Sequence, residues 1–122
     1  MTARDVLNKA LIMLGYTRSN GEMSGEQELF KRGIVAVNQV CADLHYALGR
    51  EDYKPIETSS DEIDLPERIL YDVAPYGVAM FVAQSENDGD SQQLYASLYN
   101  KKRKSVRSQN SVQDVMPKGS DF

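Results

Sequence analysis

The stretch SGEQELFKRGIVAVNQVCADLHYALG, residues 24–49, carries the clearest structural pattern in the chain. Its large apolar residues recur every three or four positions, the spacing that places side chains along one face of an α-helix. The residues on this face are Phe30, Ile34, Val37, Cys41, Leu44 and Leu48. Ser24 and Gln27 have the spacing of a capping box that would start the helix, and Gly49 would end it. We therefore expect a long helix over this stretch, with its apolar face packed into the core.

Two further segments show helical periodicity with recognisable starts. Thr2 and Asp5 have capping-box spacing and open a first helix, which Gly15 would end. Asp90 and Gln93 have the same spacing and predict the start of a last helix. The predicted inner face of this last helix carries Leu94, Tyr95, Leu98, Tyr99 and Val106.

A third helix is predicted to begin at Pro66 and to run to about Gln84. Proline suits the first helical position, where its missing N–H leaves no hydrogen bond unmade. Pro75 falls inside the apolar stripe and removes one backbone hydrogen bond, so we expect a kink there and not an end.

The segment 51–66 lacks helical periodicity. Pro55 and a cluster of acidic residues argue against a helix, while Ile63 and Leu65 alternate with charged residues as in a strand. The pattern predicts an inserted β-hairpin with strands at 54–58 and 62–65, or an extended loop. Its acidic residues are Glu57, Asp61, Glu62 and Asp64.

Length and composition indicate one domain, and the four predicted helices make it all-α, a small four-helix bundle over residues 1–107 with an extended C-terminal tail at 108–122. The chain has 122 residues, of which 41 % are apolar, as is ordinary for one globular domain. Residues 108–122 hold too few large apolar side chains to form a core of their own. No apolar run is long enough to span a membrane, so no membrane association is expected.

Little in the sequence suggests catalysis or a cofactor. Cys41 and His45 are the only residues of their types, and Cys41 lies on the apolar face, where a buried packing role is favoured over a nucleophile. The acidic residues of 51–66 lack the spacing of a metal-binding loop and suggest a solvated surface. We therefore expect no catalytic residues, no bound metal and no cofactor, and not an enzyme.

Charge is distributed unevenly along the chain. The net charge is −4 overall, but residues 51–90 carry two basic and eleven acidic side chains, a net of −9. The run Lys101, Lys102, Arg103, Lys104 and Arg107 places five cations in seven residues. Three interpretations of this run remain open: stabilisation of the helix end, docking to an acidic protein, or nucleic-acid binding. The low pI and the lack of interleaved aromatic residues weigh against the last.

The order of these features resembles the head–tail connector (head-completion adaptor) proteins of bacteriophages. The similarity covers residues 2–107 and depends on loose motifs in a particular order. These are A-x-x-x-L-G at the end of the first helix (Ala10, Leu14, Gly15), the long second helix, Leu65-Pro66, Y-G-x-A (Tyr76, Gly77, Ala79), and Gly89-Asp90 followed by L-Y-x-x-x-Y-N-x-K-R (Tyr95, Tyr99, Asn100, Lys102, Arg103).

The resemblance implies a structural virion protein of the neck. Such a protein assembles in the host cytoplasm as a ring, typically of twelve copies, below the portal protein. It extends the DNA channel, links the head to the next neck or tail protein, and lets the genome pass without sequence-specific binding. The alternative is a small nucleic-acid-binding regulator that uses the basic run 101–107.

Two groups of residues are candidates for these roles. The acidic residues Glu57, Asp61, Glu62 and Asp64 would line the channel, since like charge keeps the duplex from adhering. The basic run, together with three apolar residues of the tail, would dock to the portal or to a neighbouring subunit. Those apolar residues are Val115, Met116 and Phe122.

Overall fold

The computed structural model describes the backbone of residues 1–16 and 26–115 and the side chains of residues 1–16 and 30–106. Within these residues the fold is all-α, as predicted. The helices are α1 (Ala3–Leu14), α2 (Glu26–Ala47), α3 (Glu67–Asp72), α4 (Ala74–Ser85) and α5 (Gly89–Val115).

Helix α1 begins and ends as its sequence predicts. The Thr2 hydroxyl accepts a hydrogen bond from the Asp5 N–H, and the Asp5 carboxylate accepts one from the Thr2 N–H. These reciprocal bonds satisfy two backbone donors that the first turn leaves without a partner. Gly15 ends the helix with a φ of 73°, a left-handed conformation that glycine adopts without strain.

The apolar face of α2 is confirmed in its middle and second half. Val37, Cys41 and Leu44 are fully buried, and Phe30, Ile34 and Leu48 pack against the core while partly exposed. The helix gives way to a turn after Ala47, and Gly49 has a φ of 80°. The predicted capping box falls on Ser24 and on the side chain of Gln27, which lie outside the described residues.

Helix α4 packs against all four other helices. Its buried side chains are mostly small: Ala74, Pro75, Gly77, Val78, Ala79, Val82 and Ala83. At Gly77 a Cβ atom would lie 2.8 Å from a ring carbon of Tyr99 and 2.9 Å from Val40 Cγ2. The missing side chain therefore lets α5 and α2 approach α4 closely.

The predicted single kinked helix at 66–84 is wrong, because the chain forms two helices that separate at Val73. Pro66 precedes α3 as its N-cap, and Pro75 lies in the first turn of α4, where its missing N–H leaves no bond unmade. The carbonyl four residues before Pro75 belongs to Tyr71. This carbonyl instead accepts a hydrogen bond of 2.8 Å from the Lys9 ammonium, which also lies over the Tyr71 ring.

Helix α5 starts earlier and ends later than the sequence suggests. Asp88 caps it, with a side-chain oxygen 3.2 Å from the Ser91 N–H, so the cap predicted at Asp90 is wrong by two residues. Tyr99 and Val106 are buried as predicted, whereas Leu94 is 53 % exposed. The helical backbone continues past residue 107 to Val115, so the tail predicted as extended is wrong over residues 108–115. Residues 116–122 lie outside the described part.

The segment 51–66 forms an extended loop. Residues 54–58 and 62–65 do not pair with each other, so the predicted hairpin is wrong; the β-bridge found in this segment joins Glu62 to Thr2. Ile56, Ile63 and Leu65 are buried beneath the loop. Its few short-range hydrogen bonds include that from the Asp61 N–H to the Thr58 carbonyl. Burial of its apolar side chains, together with hydrogen bonds to residues outside the loop, therefore shapes the loop in place of strand pairing.

Candidate interaction surfaces

The side chain of Asn38 holds the first half of the loop 51–66 to α2. Asn38 accepts a hydrogen bond of 2.7 Å from the Ile56 N–H and donates one of 3.1 Å to the Ile56 carbonyl. The Tyr53 hydroxyl donates to the same Asn38 oxygen. Asn38 thus replaces the pairing that a neighbouring strand would give to this backbone.

Further hydrogen bonds hold the second half of the loop. The Nε2 atom of His45 lies 2.8 Å from the Asp64 carbonyl oxygen, and the Ile63 N–H donates to the Met1 carbonyl. The Arg4 N–H donates to the Ser59 carbonyl at 2.8 Å. With both halves fixed, the loop presents its charged side chains at defined positions.

The four predicted acidic residues divide into two roles. Glu57, Glu62 and Asp64 are exposed, and they form what we call the acidic surface. The carboxylate of Asp61 instead accepts hydrogen bonds from the N–H groups of Thr58 and Glu57, which lower its pKa. Asp61 is therefore part of the turn that shapes the loop.

Two cations of the basic run in α5 form ion pairs with carboxylates of the same chain. The Lys102 ammonium lies 3.1 Å from the Asp72 carboxylate and 4.7 Å from the centre of the Tyr76 ring. Lys101 and Lys104 are exposed. The side chain of Arg107 lies outside the described residues, as do those of Val115, Met116 and Phe122.

Arg103 belongs to a cluster that ties α5 to α2. Its guanidinium donates two hydrogen bonds to the Asp43 carboxylate, one of them 2.9 Å long, and the Tyr99 hydroxyl donates a third of 2.7 Å. Burial alone would raise the pKa of Asp43, but the hydrogen bonds from Arg103 and Tyr99 outweigh it and lower that pKa. The role of Arg103 visible in the structure is thus to join two helices.

A groove between α3 and α5 brings together residues that lie about 30 positions apart in the sequence. The α3–α5 groove has a volume of about 380 Å³ and apolar side chains from both helices. Arg68 and Lys101 line it as well, and both are exposed. Lys101 had been predicted as part of the basic run, whereas Arg68 lies in the acidic segment 51–90. Nothing in the linear sequence signals that the two cations share one groove.

Cys41 and His45 are structural residues. Cys41 is fully buried, and this burial raises the pKa of its thiol to about 12, so the reactive thiolate is scarce at neutral pH. His45 is 3 % exposed, with its Nε2 bonded to the loop and its ring packed edge-on against Tyr53. Their contacts are those of packing and loop attachment.

Across the described residues, no group of three or more histidine, cysteine, aspartate or glutamate side chains is arranged to hold a metal ion. None of the helices there combines the length and the apolar character needed to cross a membrane. Comparisons with models of protein families, with curated proteins and with solved structures give no significant match.

Proposed function

We propose that this chain is a bacteriophage head–tail connector, an adaptor that forms a ring below the portal, extends the DNA channel and links the head to the tail. The observation that carries the proposal is the separation of opposite charge onto two fixed parts of a small helical domain. The acidic surface lies on the loop 51–66, and the exposed cations Lys101 and Lys104 lie on α5. The resemblance over residues 2–107 supports the same function.

The acidic surface suits the wall of a DNA channel. A duplex that slides through a ring must not adhere to it, and like charge prevents adhesion. Such a wall must also hold its shape. The bonds of Asn38 and His45 to the loop backbone provide this rigidity. We infer that Glu57, Glu62 and Asp64 face the lumen.

Opposite charge on separate surfaces also suits assembly of identical copies. A head-to-tail contact uses two different patches on each subunit, and it closes into a ring when the rotation between subunits allows. The cations of α5, with Val115, Met116 and Phe122 further along the chain, are the proposed contacts to the portal or to a neighbouring copy. The next neck or tail protein would bind the opposite side of the ring, and the assembled virion is the proposed location.

The alternative, a regulator that binds nucleic acid through residues 101–107, receives less support. Lys102 pairs with Asp72, and Arg103 pairs with Asp43, so phosphates would have to compete with these carboxylates. Since each neutralised phosphate contributes about 0.9 to the slope of log affinity against log salt, we expect a shallow slope and weak binding for this chain.

Co-expression with the portal protein encoded in the same genome tests the proposal. We expect the chain to co-sediment with portal rings and to form a ring visible by electron microscopy, while a DNA-shift assay shows no tight complex. The variant Glu57→Lys/Glu62→Lys/Asp64→Lys should still bind the portal but slow genome ejection, and the matched Gln/Gln/Asn variant should have a smaller effect. Failure to bind portal, together with tight and strongly salt-dependent DNA binding, would favour the regulator.

A further inference from the structure

The α3–α5 groove has an apolar floor made by both helices. Ile69 and Val73 come from α3 and its end, and Val106 comes from α5; all three are at most 8 % exposed. Leu98 lines the groove as well and is only partly buried. The volume of about 380 Å³ lies within the range of roughly 300–1,000 Å³ typical of ligand pockets.

The rim of the groove is positively charged. Arg68, Lys101 and Lys102 contribute three cations, and Asp72 contributes one carboxylate, which pairs with Lys102. Among the described residues no carboxylate lies within ion-pairing distance of Arg68 or Lys101. The groove therefore carries a net charge of +2 in a chain whose overall charge is −4.

The contact of Lys102 with Asp72 also links the two helices that form the groove. The ammonium lies near both the carboxylate and the face of the Tyr76 ring, and it thereby connects α5 to α3 and α4. A site that is already formed loses less conformational entropy on binding than one that must be ordered.

We propose that the α3–α5 groove is a docking site for a segment of another protein that carries carboxylates beside a large apolar side chain. The apolar side chain would pack on Ile69, Leu98 and Val106, and the carboxylates would bind Arg68 and Lys101. Charge complementarity favours an acidic occupant, and the apolar floor favours a protein segment over a nucleic-acid backbone, which offers phosphates without aliphatic side chains. This proposal stands whether or not the chain is a connector.

An NMR titration of the full chain, labelled with ¹⁵N, tests the site with defined probes. The first probe is a short peptide of aspartate, glutamate and leucine. In a second peptide lysine replaces the acidic residues, in a third serine replaces the leucines, and the last probe is a single-stranded DNA oligonucleotide. We expect the first peptide alone to shift the amides of residues 67–73 and 98–106 as a saturable site.

Two charge reversals on the same helix give a matched comparison. Lys101→Glu changes the rim of the groove, whereas Lys104→Glu makes the same change at an exposed position that does not line it. Lys101→Glu should weaken binding of the acidic leucine peptide by about tenfold or more, and Lys104→Glu by much less. Arg68→Glu, on the other helix, should reproduce the effect of Lys101→Glu.

Several results would overturn the proposal. These are the absence of saturable binding, shifts that map elsewhere, equal weakening by Lys101→Glu and Lys104→Glu, and equal binding of the serine peptide. Tighter binding of the DNA at the same amides would assign the groove to nucleic acid instead. Thermal melts of each variant check that the fold is retained, which is expected because Arg68, Lys101 and Lys104 are all exposed.

Discussion

Asn38→Ala should loosen the loop 51–66 from α2 without unfolding the protein. Asn38 makes both backbone hydrogen bonds of Ile56 and accepts a third from the Tyr53 hydroxyl. Alanine removes all three while leaving the helical backbone of α2 unchanged. The loop would then be held mainly by its buried apolar side chains and by the contacts of His45 and the N-terminal residues.

Three contributions determine how much stability Asn38→Ala removes, and the second and third offset part of the first. Each intramolecular hydrogen bond contributes about 0.5–1.5 kcal/mol net, so the three together contribute roughly 1.5–4.5 kcal/mol. Alanine has a better helix propensity than asparagine by roughly 0.5 kcal/mol, which offsets part of the loss. In the variant, water that enters this partly buried site would restore some of the lost hydrogen bonding. We therefore expect a net loss of about 1–4 kcal/mol, against a total stability of roughly 5–15 kcal/mol for a domain of this kind.

Hydrogen exchange and urea unfolding distinguish loosening of the loop from general destabilisation. The amide of Ile56, which donates to Asn38, should lose protection by more than the amides in the middle of α4. Gln39→Ala is the matched control, since Gln39 is exposed on the same helix and should leave the Ile56 amide unchanged. Unchanged protection of Ile56 in Asn38→Ala, or an equal loss in Gln39→Ala, would refute the role assigned to Asn38.

Three further predictions concern the core and the helix junctions. The lowered pKa of Asp43 contributes stability that is present above its unfolded pKa, near 3.8, and is lost as pH falls through the folded value. Asp43→Asn should therefore flatten the acid limb of a pH–stability curve, measured beside Asp52→Asn as an exposed control variant. Cys41 should react with a thiol reagent at neutral pH only after denaturation, since its thiol is fully buried and its pKa is raised to about 12. Lys9→Met should lower the urea midpoint by an amount equivalent to about 0.5–1.5 kcal/mol, because the exposed Tyr71 carbonyl loses a charged donor that water replaces in part.

The sequence predicts the helices best where signals are local. The Thr2 capping box and the left-handed glycine at residue 15 specify α1 within one turn at each end. The apolar periodicity of α2 correctly identifies the buried residues Val37, Cys41 and Leu44. These features depend on residues three or four positions apart, so they can be recognised without knowledge of the tertiary structure.

Other features depend on partners that are distant in the chain. The separation of α3 from α4 involves the ammonium of Lys9, 62 residues before the Tyr71 carbonyl that it binds. The two halves of the loop 51–66 do not pair as strands, and the backbone of Ile56 bonds to the Asn38 side chain instead. Alternation of apolar and charged residues in the sequence cannot reveal this contact. The central position of α4 follows from small side chains that a search for large apolar residues overlooks.

The proposed function depends on exposed charge, and exposed charge also depends on partners that are distant in the chain. In the sequence, the run 101–107 counts as five cations, yet Lys102 and Arg103 are paired with carboxylates of α3 and α2. Conversely, Arg68 lies in the most acidic part of the chain and becomes part of a basic groove through its position on α3. The charge available to a partner is what remains exposed after internal pairing, and it must be taken from the folded surface. Among the described residues that remainder includes an acidic loop and a basic groove, two surfaces that separate variants can test independently.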